Sequence, residues 1–272
     1  MTTDEELRRL SRKVRAEVLR ATTEAGSGHP GGSLSATDIL VTLYWRVLRH
    51  DPKNPRWPER DRFILSKGHA APALYTVLAE RGYFPKERLR HLREHGSMLQ
   101  GHPDATRTPG VEVSSGSLGN GLSVASGIAS ALKLDGKESR VYCLLGDGEC
   151  DEGLVWEAAM FAAHRRLDNL TAIIDRNGLQ IDGPTEKVVS LEPLADKWRA
   201  FNWNVICVSG HDHAKLLSAL EEAKKTKGRP TAVIADTVKG KGVSFMEGVV
   251  GFHGKPCTPT ELEAACKELE GD

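Results

Sequence analysis

Two short apolar runs end in polar residues that could together bind a divalent metal ion. Residues 140–145 are followed by Gly146-Asp147-Gly148, and residues 170–174 by a segment that contains Asn177. A carboxylate and a carboxamide are hard oxygen ligands, and a nearby backbone carbonyl can supply a third, which suits Mg²⁺ or Ca²⁺ when a phosphate completes the shell. Glycines beside Asp147 allow a close approach, and the helix expected after it favours anions at its N-terminus. The sequence therefore predicts a site for a metal-bound diphosphate.

Each motif also has a simpler explanation, because Asp-Gly and Asn-Gly pairs are common in turns. That explanation is sufficient for either motif alone. It is less satisfactory for both together, because they end successive apolar runs with a helical segment between them. This arrangement is a βαβ unit that carries ligands on adjacent strand ends.

Four histidines lie in loops that contain glycine or proline, namely His29, His69, His102 and His253. A single loop histidine is usually only solvated, and zinc is the first alternative for several. No two of these four have His-x-x-x-His spacing and no cysteine joins them, which disfavours zinc. Imidazoles that titrate near neutrality can instead exchange protons with sugar hydroxyls and carbonyls. The remaining histidines are expected at the surface or in capping roles: His50, His91, His95, His164, His211 and His213.

A glycine-rich segment, 116–121, precedes a helix of small residues. A Rossmann loop should follow directly on a strand and be trailed by an acidic residue, and the context here is poor. We expect instead that the glycines let the loop lie against a flat ligand ring. Three acidic residues open the helix after Asp147, and compensation of the helix dipole is the expected role of the first two, Glu149 and Asp151, but not of Glu152.

Apolar periodicity predicts the elements that position these residues. Strands are expected at residues 63–65, 141–145, 171–175, 205–208 and 232–236. Helices are expected from the capping-box pair Thr3 and Glu6 to near residue 26, and at residues 35–48, 70–81, 153–165, 191–201 and 214–225. Residues 96–116 show no periodicity, and such a stretch in a compact domain is more often functional than idle.

This alternation of strands and helices indicates an α/β fold. The strands are apolar throughout, which predicts a parallel sheet with helices on both faces. Ligands bind such sheets beyond the carboxyl ends of the strands. The unusual residues all follow strand ends and should converge on one rim: Lys67-Gly68-His69, Gly146-Asp147-Gly148, Asn177 and Lys239-Gly240.

Composition excludes several other classes of protein. The chain has 272 residues, of which 39% are hydrophobic, and this is enough for a substantial core. Lys plus Arg equal Asp plus Glu at 37 each, which disfavours nucleic acid or an anionic membrane as a partner. The five cysteines have no CxxC spacing, and Cys143 and Cys207 lie in predicted strands, where buried thiols are common. With neither a signal core nor a membrane span, a soluble cytoplasmic protein is expected.

Taken in order, these motifs resemble the N-terminal, diphosphate-binding half of the transketolase family. The similarity runs from about residue 27 to residue 255. It comprises Gly28-His29-Pro30, Ser66-Lys67-Gly68-His69-Ala70, Gly101-His102-Pro103, Gly116-Ser117-Leu118-Gly119, Gly146-Asp147-Gly148 to Glu152-Gly153, Asn177, Lys239-Gly240 and His253-Gly254.

The resemblance implies thiamine diphosphate as the cofactor, held through Mg²⁺ or Ca²⁺. Asp147, Asn177 and the carbonyl of Leu179 would bind the metal. Besides Asn177, the residues that would contact the cofactor are His69, Gly116, Ser117, Leu118, Gly148, Lys239 and His253. The implied catalytic set is His29, His69, His102 and His253, which would face the substrate, and Glu152, which would be linked to the activating glutamate of an opposite subunit.

The implied reaction is transfer of a two-carbon ketol unit from a ketose phosphate to an aldose phosphate. Full-length members of the family continue with a pyrimidine-binding domain and a terminal domain, whereas this chain stops at Asp272. We therefore expect a split enzyme in which residues 1–272 form one thiamine diphosphate-binding domain. A C-terminal transketolase subunit with the pyrimidine-binding domain would complete an α2β2 heterotetramer. The alternatives are the same chemistry on a specialised or sulfonated sugar, and a non-catalytic subunit that binds the cofactor.

Overall fold

A parallel sheet of five strands forms the centre of the computed structural model, which describes residues 2–271. Its strands are β1 (Arg62–Leu65), β2 (Val141–Gly146), β3 (Leu170–Arg176), β6 (Asn204–Ser209) and β7 (Thr231–Asp236). A short antiparallel hairpin follows β3 and consists of β4 (Leu179–Gln180) and β5 (Gly183–Pro184). The order across the sheet is β1-β2-β3-β7-β6, and every neighbouring pair is parallel.

The helices connect these strands and cover both faces. They are α1 (Asp4–Glu24), α2 (Pro30–Thr42), α3 (Ala71–Glu80), α4 (Asn120–Leu134), α5 (Gly153–His164), α6 (Thr185–Val188), α7 (Leu194–Ala200), α8 (His213–Lys225) and α9 (Pro259–Glu270), and a π-helical turn, Leu43–Val47, continues α2. Among residues 2–271, no helix has both the length and the apolar character to cross a bilayer.

Alternate side chains of the strands divide the core into two clusters. Leu144, Ile173 and Val233 pack with the first helical layer, which contains α1, α2, α3, α8 and α9. Leu145 and Ile174, one residue later on their strands, pack with the second layer, which contains α4, α5 and α7. This is the consequence of the two-residue period of a strand whose two faces are both buried.

A crevice lies at the carboxyl edge of the sheet because the chain leaves β1 and β2 toward opposite faces of the sheet, and it does the same at β3 and β7. It passes from β1 to α3 and from β7 to α9, in the first layer, but from β2 to α5 and from β3 to α7, in the second. Ligand sites in α/β sheets occur at such points.

The predicted α/β class is confirmed, and each predicted strand is correct to within one residue at either end. The capping box of Thr3 and Glu6 at the start of α1 is also confirmed. Residues 96–116 are irregular apart from isolated turns, as predicted.

Two predicted helix starts are wrong, and proline is involved in both. The helix expected from residue 35 begins at Pro30, because proline at the first helical position needs no hydrogen-bond partner and has the right φ. Tertiary burial along the whole of α2 stabilises it despite Gly31 and Gly32. The helix expected from residue 191 begins only at Leu194, directly after Pro193, because the residue that precedes a proline disfavours helical geometry.

The expectation that Cys207 is buried is also wrong. Cys143, in the central strand β2, is buried, but Cys207 is exposed. The reason is that β6 is an edge strand whose residues are mostly half-buried.

Candidate functional site

A buried ion pair joins the carboxyl ends of β1 and β3. The side chains of Lys67 and Asp175 are 1% and 0% exposed, and Nζ lies 2.5 Å from Oδ2. Lys67 also donates to the carbonyl of Gly32 at 3.0 Å. Ser35 of α2 donates to the same oxygen of Asp175 at 2.7 Å, and Thr237, after β7, donates to the other. One carboxylate therefore fixes three strand ends and α2 relative to each other.

The electrostatics of this pair favour its charged form. Burial alone would raise the pKa of Asp175, but the Lys67 ammonium and the hydroxyl donors outweigh it and hold that pKa below its usual value. Loss of either partner would leave a charge buried without its counterion.

Asp147 lies beside this pair, directly after β2, and is 2% exposed. Its Oδ1 accepts from the amide of Gly148 at 2.8 Å, and its Oδ2 accepts from the amide of Gly178 at 2.6 Å and from Arg176 at 3.1 Å. Burial is the main reason that the pKa of Asp147 is raised, and the negative charge of Asp175 raises it further. A buried carboxyl group whose charge is only partly compensated is suited to a cation.

The two other predicted metal ligands lie on the adjacent strand end. Oδ1 of Asn177 accepts from the amide of Leu179 at 3.1 Å, and the carbonyl of Leu179 accepts from Nζ of Lys239 at 3.1 Å. Gly146 and Asp175 are register partners in β2 and β3, so the two polar segments leave the sheet side by side. The predicted convergence of these residues on one rim is confirmed.

A cavity of ≈ 170 Å³ opens at this rim, and its wall includes Asp147, Gly148, Asn177, Leu179, Lys239 and His253. Residues 2–271 contain no group of three or more His, Cys, Asp or Glu side chains placed to hold a metal. A cation here would therefore use the carboxylate of Asp147 with the amide oxygen of Asn177 and the carbonyl of Leu179. These are hard oxygens of the kind that Mg²⁺ and Ca²⁺ prefer when phosphate supplies the rest of the shell.

The cavity also suits a diphosphate electrostatically, and its wall is closely packed. A Cβ at Gly148 would lie 2.8 Å from the Cβ of Gln180, so only glycine fits between the hairpin and the loop that contains Asp147. Lys239 is 2% exposed and supplies a positive charge. Burial and, to a smaller extent, the nearby Lys67 ammonium lower the pKa of Lys239 to about 8. Lys239 is therefore a cation at neutral pH.

The four predicted histidines come together next to this cavity. The ring centroid of His29 lies 5.5 Å from the centroids of His69 and His253 and 6.3 Å from that of His102. The rings of His69 and His253 are stacked at 5.2 Å. Tyr75 of α3 donates its hydroxyl to the carbonyls of residues 100 and 102, each at 2.9 Å, and so fixes the His102 loop.

These imidazoles are neutral at pH 7. Burial is the main cause in both His29 and His253. Arg93 and Lys239 add to it at His29, whose pKa is lowered to about 4, and Lys239 and Lys67 add to it at His253, whose pKa is lowered to about 3. Burial also lowers the pKa values of His69 and His102, with the Lys67 ammonium as the next cause at His69 and Arg93 at His102. Lys239 donates to Nδ1 of His253 at 2.8 Å, so the proton of that ring is on Nε2.

Glu149 has a role that the sequence does not reveal. Local sequence predicts only compensation of a helix dipole, but the residue is 2% exposed and its carboxylate accepts from Ser66 and from the amides of Gly119 and Gly146, the two amides at 2.9 Å. It therefore fixes the glycine-rich loop and the loop that contains Asp147 to the end of β1. Only its place in a Gly-rich strand–helix junction could have indicated this.

The remaining predicted site residues have different environments. Leu118 is part of its wall, Gly116 lies against the ring of His102, and Ser117 is exposed. Glu152 is not brought into the histidine cluster. It is the N-cap residue of α5, is exposed, and lies beside Gly119.

Three of the histidines expected at the surface are not simply solvated. His213 is buried, with Nδ1 2.8 Å from the Thr42 hydroxyl, and His211 lies 2.7 Å from Asp38. His50 contacts the hydroxyl of Tyr83 at 2.9 Å. These partners are far apart in sequence, so no local pattern predicts them.

The ion pair makes a testable contribution to stability. We predict that Lys67→Met lowers the free energy of unfolding by about 3 kcal/mol, because Asp175 remains buried without its counterion. The matched control is Lys133→Met, which breaks the exposed pair with Asp168 and should cost less than about 1 kcal/mol. Urea titration of the free chain gives both values, and equal losses would contradict the assignment.

Because these histidines are neutral in the folded chain, we predict that the chain loses stability in acid. Their pKa values are depressed from 6.5 on folding, so the stability they contribute is complete above about pH 7 and is lost as the pH falls towards 4. Between about pH 7.5 and pH 5, His253→Gln should reduce the loss by about 1 kcal/mol, a value that allows for partial solvent contact of the ring. An unchanged pH slope, identical to that of the surface control His91→Gln, would refute this.

Comparison with known proteins relates this geometry to a family. Residues 7–271 match the family described as the transketolase, thiamine diphosphate binding domain. The chain is 49% identical over 257 residues to the 6-deoxy-6-sulfo-D-fructose transketolase subunit of Clostridium sp. (strain MSTE9), with 94% of both chains covered. It is 43% identical to an apulose-4-phosphate transketolase subunit of Phocaeicola vulgatus, with 95% of this chain and 92% of that one covered.

Solved structures agree with these sequence matches. The crystal structure of transketolase from Campylobacter jejuni superposes with a TM-score of 0.92 at 35% identity, over 97% of this chain but 42% of that one. Human transketolase is 42% identical, and the chain likewise spans 42% of it. The chain therefore belongs to the transketolase family, in which it corresponds to the thiamine diphosphate-binding domain.

Proposed function

We propose that this chain is the diphosphate-binding subunit of a two-component transketolase. The enzyme transfers a two-carbon ketol unit from a ketose phosphate to an aldose phosphate. One observation carries the proposal: four neutral histidines lie beside a cavity that has three hard oxygens and the ammonium of Lys239 in its wall. A phosphate-binding site alone would not need the histidines.

In this proposal the carboxyl rim holds the cofactor. Asp147, Asn177 and the carbonyl of Leu179 bind Mg²⁺ or Ca²⁺ on the diphosphate. Gly148, Lys239, His69 and His253 contact the cofactor, as do Gly116, Ser117 and Leu118. When bound, thiamine diphosphate supplies a carbon centre that can accept the ketol fragment and delocalise its electrons, which no side chain can do.

The histidines orient the substrate and move its protons. Since Nδ1 of His253 accepts from Lys239, its Nε2–H is available to donate to a substrate oxygen. Nδ1 of His29 is buried and has no hydrogen-bond partner among residues 2–271, and an unpaired buried polar atom of this kind is typical of functional sites. A neutral imidazole can take a proton from a hydroxyl and return it, which is the task that making and breaking a carbon–carbon bond beside a hydroxyl requires.

A second polypeptide completes the site in this proposal. Support comes from the two bacterial relatives that are named as subunits and match this chain over nearly their whole length. Glu152 is exposed at the same edge of the sheet, and its carboxylate makes no hydrogen bond within residues 2–271, as suits a group that meets a partner. The assembly is an α2β2 heterotetramer with a subunit that carries the pyrimidine-binding domain.

A second candidate substrate is a sulfonated ketose. The 49% identity to a subunit named for 6-deoxy-6-sulfo-D-fructose favours it. Sulfonate and phosphate are both tetrahedral anions, and they differ in charge and in the number of oxygens that can accept hydrogen bonds.

The metal assignment predicts the behaviour of Asp147→Ala. Thiamine diphosphate with Mg²⁺ should raise the Tm of the complex of wild-type chain and partner, and this increase should vanish in the variant because the metal loses its carboxylate ligand. The apo variant should remain folded, and Asp135→Ala, at the exposed end of α4, should keep the full increase. An undiminished increase in Asp147→Ala would show that the assignment is wrong.

The catalytic proposal is tested by reconstitution. The chain alone should give no ketol transfer, and addition of the partner, thiamine diphosphate and Mg²⁺ should produce it with a ketose phosphate or with 6-deoxy-6-sulfofructose as donor. His253→Asn should lower kcat by about a hundredfold, whereas His91→Asn should not change it. Full activity of the lone chain would contradict the two-component site, and unchanged turnover of His253→Asn would favour a non-catalytic subunit.

A further inference from the structure

A polar cluster lies beneath the candidate site, between α1, α2 and the loop before α8. Arg15 and His211 both contact Oδ2 of Asp38, at 2.5 and 2.7 Å. The side chains of Arg15 and Asp38 are each 6% exposed, and that of His211 is 15% exposed. Burial alone would raise the pKa of Asp38, but Arg15 and His211 hold it well below its usual value, so the carboxylate is charged. None of these residues is part of the proposed chemistry.

The hydrogen bonds of His211 determine where its proton lies. Its Nε2 is 2.8 Å from the backbone nitrogen of Val238, which can only donate. Nε2 must therefore carry a lone pair, and the proton must be on Nδ1, directed at Asp38. The ring therefore links the buried carboxylate of Asp38 to the backbone amide of Val238.

That amide belongs to the segment that presents Lys239. The neighbouring amides of Thr237 and Gly240 donate to the carbonyls of Arg176 and Gly31, each at 3.0 Å. Val238 differs because its amide donates to a side chain. The next residue, Lys239, extends to Leu179 and His253 at the rim.

We propose that His211 is a positioning residue for Lys239. Through the Nδ1–H tautomer that Asp38 imposes, it accepts from Val238 and holds the segment at the depth from which the Lys239 ammonium reaches the rim. Without that acceptor, the Val238 amide must find another partner, and the segment shifts. The consequence for the diphosphate rests on the proposed function.

Two amide variants separate the two ends of the ring. In His211→Gln the amide oxygen lies near the position of Nε2 and can still accept from Val238, while the bond to Asp38 is lost. In His211→Asn the amide lies near the position of Nδ1 and can still donate to Asp38, while Val238 loses its acceptor. A purely structural role predicts that both variants lose stability and cofactor affinity in parallel.

The test measures the Kd of thiamine diphosphate, with Mg²⁺ in excess, for the complex of each variant with the partner subunit. We expect His211→Asn to raise the Kd about tenfold and His211→Gln to leave it within about threefold, whatever their Tm values. Equal Kd values for the two variants, or Kd changes that follow the loss of Tm, would overturn the proposal.

Two measurements on the free chain test the same idea without the cofactor. The ¹⁵N spectrum of wild-type His211 should show the Nδ1–H tautomer, and amide exchange at Val238 should accelerate in His211→Asn but not in His211→Gln. An Nε2–H tautomer, or exchange that is unaffected in His211→Asn, would overturn the positioning role. If the wild-type complex binds no thiamine diphosphate, the proposed function fails, and these two results still decide the role of His211.

Discussion

The ion pair between Lys67 and Asp175 is the constraint on which the rest of the rim depends. An ammonium and a carboxylate without solvent contact are costly to bury, and they are tolerated here because every oxygen of the carboxylate has a donor from another element. The pair therefore acts through geometry more than through net stability. It brings the ends of β1, β3 and β7 to α2, and the side chains that follow these ends, His69, Asn177 and Lys239, can then face a common space.

Burial also sets the chemistry that this space permits. The same desolvation that keeps the histidines neutral leaves Lys239 charged, because its pKa starts four units higher and falls only to about 8. The rim thus combines the Lys239 cation and the raised-pKa carboxyl group of Asp147 with neutral imidazole rings. This combination of charged groups and neutral rings suits a reaction in which an anionic cofactor stays in place while hydroxyl protons of the substrate move.

Local patterns in the sequence were sufficient for the strands, the α/β class and the convergence of Asp147, Asn177 and Lys239. Strand periodicity and the rule that parallel strands end at one edge require no knowledge of distant contacts. The contacts of Glu149, His211 and Asp38 could not be predicted, because their partners are remote in sequence and only the packed fold brings them together. The start of α2 was missed for a related reason, since tertiary burial outweighs the low helix propensity of its glycines.

In the proposed function, oxygens from two adjacent strand ends hold a divalent cation on a diphosphate. The most direct measurement is anomalous diffraction from crystals of the complex with its partner, grown with thiamine diphosphate and Mn²⁺ in place of Mg²⁺. We expect one anomalous peak within roughly 2.3 Å of Asp147 Oδ, Asn177 Oδ1 and the carbonyl oxygen of Leu179. An ordered cofactor with no peak there, or with a peak bound by other residues, would contradict it.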